Sequence, residues 1–170
     1  IFLCLLLIPF SFSSFKAMKD VPTAMINVYQ MQFQLSQFVN KYYEKNTIAL
    51  NDIGAVNYYC DIKCVDLWGL ANKEVADYRR KLMYDSEKVF EINKRSNTSI
   101  AIIFEAWFDK YGGIPSNWLM AGKWTIPNNI TCGADSVTFY ATDSINYLKL
   151  TNSLKMFSKE LPLQVKQKGY

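Results

Sequence analysis

Apolar residues recur at intervals of three, four or seven in four separate stretches of this 170-residue chain, and such spacing gathers them on single helix faces. Val21, Met25, Val28, Leu35, Val39 and Tyr42 define the first stripe, widened by Ile26, Tyr29 and Phe33, with Asp20 as N-cap and Pro22 in the first turn. Asn51-Asp52 then opens a long segment carrying Val56, Cys60, Cys64, Leu67, Ala71, Val75, Tyr78, Leu82 and Val89, which Gly69 breaks or bends. Ile100 to Tyr111 reads as a buried helix or as a strand followed by a turn, and Gly112-Gly113 beyond Lys110 favours a helix end. Asp143-Ser144 caps a last helix with Tyr147, Leu150, Leu154, Phe157 and Leu161, stopping at Pro162. The expectation is an all-α bundle of about four helices. An irregular segment spans 112–142, within which Ser136 to Thr142 alternates enough for one short strand with no identifiable partner.

The first ten residues, IFLCLLLIPF, are apolar and uncharged, and Ser11-Phe12-Ser13-Ser14 supplies small residues suited to signal peptidase. The run is shorter than the roughly 20 residues that span a bilayer. The pattern predicts a cleaved signal peptide over 1–13, ahead of a buried helix or a signal anchor, and one helical domain over 14–170. Sequons at Asn97-Thr98-Ser99 and Asn129-Ile130-Thr131 fall in polar breaks where surface glycans fit, in agreement with a secreted, extracellular glycoprotein.

Oxidation follows from that compartment. Without Cys4, the chain keeps Cys60, Cys64 and Cys132. Cys60 and Cys64 lie one turn apart in the expected helix, which does not readily direct their side chains at each other, so the favoured disulfide joins Cys132 to one of them. A loop of about 70 residues closed in this way is worth a few kcal/mol. A metal site would need a fourth ligand in a chain without histidine, and neither a metal nor another cofactor is expected.

The absence of histidine also removes Ser-His and Cys-His catalysis. What remains is a carboxylate pair, Glu105 and Asp109, one helical turn apart in the expected helix, which would suit a hydrolase. Surface helices produce such pairs routinely, and no phosphate loop or nucleophile elbow accompanies this one. A non-enzymatic binding protein is the leading expectation. As a carrier of an apolar small molecule it would use Met and aromatic residues of the first helices, among them Met25, Phe33 and Tyr58. As an extracellular protein-interaction module it would use Trp118 and Trp124, residue types that anchor interfaces.

The chain carries 19 Lys+Arg against 15 Asp+Glu. The excess lies entirely in residues 144–170, where Lys149, Lys155, Lys159, Lys166 and Lys168 face Glu160 alone. A basic C-terminal helix of this kind can touch an anionic membrane surface, although an outer bundle face explains it as well. Nucleic acid is not an expected partner.

Overall fold

In a computed structural model, the chain forms an α/β fold around a six-stranded mixed sheet, which overturns the all-α expectation. The structure describes the backbone of residues 2–169 and the side chains of residues 11–169. The apolar run Ile1–Phe10 and Cys4 therefore lie outside the described side chains. Helix α1 (Phe2–Val28) passes through a π turn at Tyr29–Phe33 into α2 (Gln34–Tyr43). Strand β1 (Thr47–Leu50), α3 (Gly54–Tyr59) and β2 (Lys63–Asp66) follow, then α4 (Lys73–Arg80), α5 (Ser86–Ser96) and β3 (Ile100–Ile103). Two 3-10 turns, Glu105–Trp107 and Asp109–Tyr111, lead to β4 (Leu119–Thr125), β5 (Ser136–Ala141), α6 (Ser144–Phe157) and β6 (Lys166–Lys168).

The strand order is β2-β1-β3-β5-β4-β6. β1 runs parallel to β2 and β3, with Ile48 opposite Cys64 and Ile100, and the far half is antiparallel, with Ala101 opposite Tyr140 and Trp124 opposite Val137. The partner missing for Ser136–Thr142 is thus supplied on both sides, by β3 and β4. Alternation sends Ile48, Leu50, Ile100, Ile102 and Phe139 to one face and Ala49, Ala101, Ile103 and Tyr140 to the other. The first face packs against Leu35, Phe38 and Val39 of α2 and Leu150, Leu154 and Phe157 of α6. The second packs against Val75 of α4, Val89 and Ile92 of α5, and Phe108. Helices cover both faces of the parallel half, as buried parallel strands require.

Several helix readings fail for identifiable reasons. β2 and β3 are four residues each, so their apolar spacing cannot be told from one helical turn. Residues 51–89 consequently divide into α3, β2, α4 and the start of α5. Gly69 does break that segment: it has φ +82°, and a Cβ there would lie 2.7 Å from the Ala76 backbone nitrogen. Asp20 and Pro22 sit inside α1, so they do not start the helix. Of the C-terminal lysines, Lys149 and Lys155 lie on α6, which ends at Phe157, while Lys168 and Lys166 pair on β6 with Lys123 and Thr125. Among the described residues no helix is long and apolar enough to cross a membrane.

Candidate functional site

In open α/β sheets, ligands are taken up beyond the carboxyl ends of the parallel strands. Here the loops after β1, β2 and β3 meet at that edge. Asn51, wholly buried, donates from Nδ2 to the Phe104 carbonyl and accepts from the Phe104 N–H on Oδ1, both at 3.0 Å. That reciprocal pair locks the ends of β1 and β3 together. Asp66, 4% exposed at the end of β2, accepts four backbone N–H bonds, from Trp68 at 2.7 Å, Gly69 at 3.0 Å, Ala71 at 2.6 Å and Asn72 at 3.1 Å. One carboxylate thus organises the whole loop, and Asn72 continues it by capping α4 through the Glu74 and Val75 amides.

The ordered loop presents Trp68 to Trp107 from the first 3-10 turn. Their ring centroids are 4.7 Å apart with planes tilted by 54°. Arg79 of α4 lies 3.7 Å over the Trp68 ring, donates to the Trp68 carbonyl, and reaches the Tyr111 hydroxyl at 3.1 Å. Trp107 is fixed from its other side: its indole N–H donates to the Gly133 carbonyl at 3.0 Å, and a Cβ on Gly133 would come within 2.6 Å of the indole. Both tryptophans remain only partly buried. With Ala106, Asp109 and Lys110 they line an open cleft of about 360 Å³. Arg79 and Lys110 also hold the Tyr111 phenol below its usual range, against the opposing push of burial.

The expected carboxylate pair is not assembled. Glu105 and Asp109 fall in separate 3-10 turns, because the expected helix is a strand followed by turns. Asp109 is exposed at the aromatic cleft. Glu105 turns to the sheet, where it accepts from Thr138 Oγ1 at 2.9 Å and from the Tyr140 hydroxyl, and pairs with Lys123 at 2.9 Å. Burial pushes its carboxyl up, but the Tyr140, Lys123 and Thr138 bonds outweigh this and hold it below the usual carboxylate range. Tyr140 is raised by burial and by the neighbouring Glu105.

The residues expected to contact a ligand are scattered. Trp124 is fully buried, edge-on to Phe38 and stacked with Phe157, and Trp118 is 6% exposed against Tyr140. Tyr58 is 82% exposed. Met25 and Phe33 do come together, in an open apolar groove with Val21, Ala24, Val28 and Tyr29. Phe38 is packed in the core by Tyr42, Phe139 and Phe157, and neither Phe33 nor Tyr58 joins that cluster.

Among the described residues no disulfide is seen, and Cys60, Cys64 and Cys132 are free thiols. Cys60 ends α3 and donates to the Ser36 carbonyl at 3.2 Å, whereas Cys64 is on β2, so the two never shared a helix. Asn97 is exposed in the left-handed region after α5. Asn129 is half-buried, donating from Nδ2 to the Cys132 carbonyl at 3.1 Å.

No motif in the sequence marked Asn51, Trp68, Trp107 or Tyr111 as site residues, and Asp66 and Arg79 read there as surface charges. The available signal was Asp66 heading a short polar loop with Gly69 and Asn72, a pattern of side-chain-to-backbone turns.

A family model described as a domain of unknown function (DUF8728) matches residues 24–140, which include β1 to β4, nearly all of β5 and every residue of the aromatic cleft. No curated protein and no solved structure matches the chain.

Proposed function

We propose that this chain, which belongs to the DUF8728 family of domains of unknown function, is a non-enzymatic, extracellular interaction module that anchors a protein partner in the cleft lined by Trp68, Trp107 and Ala106. The observation that carries this reading is the Trp68–Trp107–Arg79 stack at the carboxyl edge of the parallel strands. Trp, Tyr and Arg dominate the binding energy of protein interfaces, and they do so when held rigid and desolvated on contact. Hydrogen bonds already fix Trp107 and Arg79, and ring contacts hold Trp68, so little rotamer entropy remains to be lost on binding. Asp109 and Lys110 at the rim provide one charge of each sign, the arrangement of a polar rim around an apolar centre.

The hydrolase reading has no comparable support. An acid catalyst needs a raised pKa, and Glu105 is held low by three donors. The apolar-carrier reading is weakened by the filled core around Phe38.

A photoactivatable residue in place of exposed Ala106, introduced in the producing cell, tests the proposal. Crosslinking to a defined protein, lost when Trp107→Ala is added while the circular dichroism spectrum is kept, is the expected result. Crosslinking that is indifferent to Trp107→Ala would overturn it.

A further inference from the structure

Helical spacing puts Phe15, Met18, Val21, Met25, Val28 and Tyr29 on one side of α1, and Lys16, Asp20, Thr23 and Asn27 on the other. A helix that belongs to a core turns its apolar side inward. Here the arrangement is inverted. Asn27 is 1% exposed and holds the loop before β5, donating from Nδ2 to the Pro127 carbonyl at 3.4 Å and accepting from the Ile130 N–H at 2.9 Å. Met25, on the apolar side, is 67% exposed and Tyr29 is 52% exposed. They line an open groove of about 450 Å³ whose walls hold no charged residue. Past the π turn the patch continues as a file of rings. Tyr29 stacks on Phe33 with centroids 5.6 Å apart, Phe33 meets Tyr59 edge-on at 6.0 Å, and Tyr59 meets Tyr58 at 4.9 Å, both tyrosines being exposed.

Single exposed apolar residues are ordinary, but a contiguous apolar face of this kind marks an interaction surface. Three features identify what covers it. Within the same helix the face runs into Ile1–Phe15, which carries no charge, and consecutive apolar positions leave no polar side for water. A second protein chain covers one face of a helix, whereas a bilayer accepts both a segment apolar all round and one apolar on a single side. Lys16 and Lys19 border the apolar side, with Lys19 lying 4.7 Å over the Phe15 ring, so their ammonium groups can reach headgroup phosphates while the stems stay on apolar surface. Tyr29, Tyr58 and Tyr59 join a phenol to an apolar ring, the chemistry that settles at a membrane–water boundary. The uncharged run is shorter than the roughly 20 residues of a span, so the helix lies on the bilayer and does not cross it. We infer that the outward face of α1, with Tyr58 and Tyr59, docks in the interface of a lipid bilayer and holds the domain at a membrane surface. No residue of the aromatic cleft takes part, so this inference is independent of the protein-partner reading.

The test is photolabelling of the full chain on phosphatidylcholine vesicles containing a phospholipid whose photoactivatable group sits just below the headgroup, followed by trypsin digestion and fragment mass spectrometry. The expected result is lipid adducts on the peptide Asp20–Lys41, localised to Met25, Val28 and Tyr29 and not to Asn27 or Gln30. Val21→Glu combined with Met25→Glu changes two exposed side chains, and should lower labelling of that peptide on the order of tenfold with an unchanged circular dichroism spectrum. The residue-resolved map of the wild type decides the matter if this variant does not fold. Adducts confined to residues 1–19 would mean that the leading run inserts alone, and labelling of no peptide would leave the face to a second copy of the chain. Either result would overturn the inference, as would adducts spread equally over Met25, Asn27 and Gln30, or wild-type labelling in the folded variant.

Discussion

The Arg79 guanidinium lies 3.7 Å over the Trp68 ring while its Nε donates to the Tyr111 hydroxyl at 3.1 Å. One side chain from α4 thereby joins the loop after β2 to the turn after β3. Replacing it, as in Arg79→Met, removes the stack and both hydrogen bonds but keeps most of the aliphatic stem. A loss of about 1–2 kcal/mol is expected. Denaturant unfolding checks the magnitude, and acrylamide quenching should show Trp68 more accessible. An unchanged midpoint with unchanged quenching would contradict the role given to Arg79.

Gly69→Ala should cost about 2 kcal/mol or more, since the residue sits at φ +82° and its Cβ would meet the Ala76 backbone at 2.7 Å. The midpoint of chemical denaturation reads this directly. A neutral substitution would mean the loop between β2 and α4 is built differently.

Glu105 gives the stability a defined pH dependence. Its folded pKa lies below the ordinary value of 4.5, so near that pH the unfolded chain binds the extra proton and stability rises with pH. The contribution is fully present above the ordinary value and is lost as pH falls through the lowered one. Glu105→Gln should therefore be less stable than wild type at pH 7, by about 1–2 kcal/mol for lost charge-assisted bonds. The gap should close in acid. Parallel melting curves from pH 7 to pH 3 check it, and a gap independent of pH would contradict the assignment.

The thiols should be slow to react in the native protein. Burial, with the nearby Asp66, pushes Cys64 up to about 12, and burial, with Asp52, pushes Cys132 up to about 11; burial also raises Cys60. Thiolate, the reactive form, is scarce at pH 8 in consequence. Iodoacetamide should modify all three readily in denaturant without reductant and far more slowly in the folded chain. Modification that requires reductant would reveal a disulfide.

What the sequence made legible was local. Asp143 does cap α6, accepting from the Asn146 amide, and the stripe Leu150, Leu154, Phe157 is buried as its spacing implies. Helical spacing misled where strands were short. Cys60, Cys64 and Leu67 recur like a helix face, but Cys64 lies in a parallel pairing, opposite Ile48, that no local pattern announces. The site was illegible for the same reason. Trp68 and Trp107 are 39 positions apart in the sequence, and only the parallel alignment of β2, β1 and β3 brings their following loops together. The two tryptophans that composition drew attention to, Trp118 and Trp124, serve the packing of the sheet faces.

Trp68 and Trp107 meet at the carboxyl edge of the parallel strands, and a two-dimensional NOE spectrum tests this without any partner. With ring centroids 4.7 Å apart, strong cross-peaks are expected between the two indoles, accompanied by contacts from Trp68 to the Arg79 side chain. A folded protein in which the two indoles show no mutual NOE, and Trp107 instead contacts residues one helical turn away along a continuous helix, would contradict both the sheet order and the site.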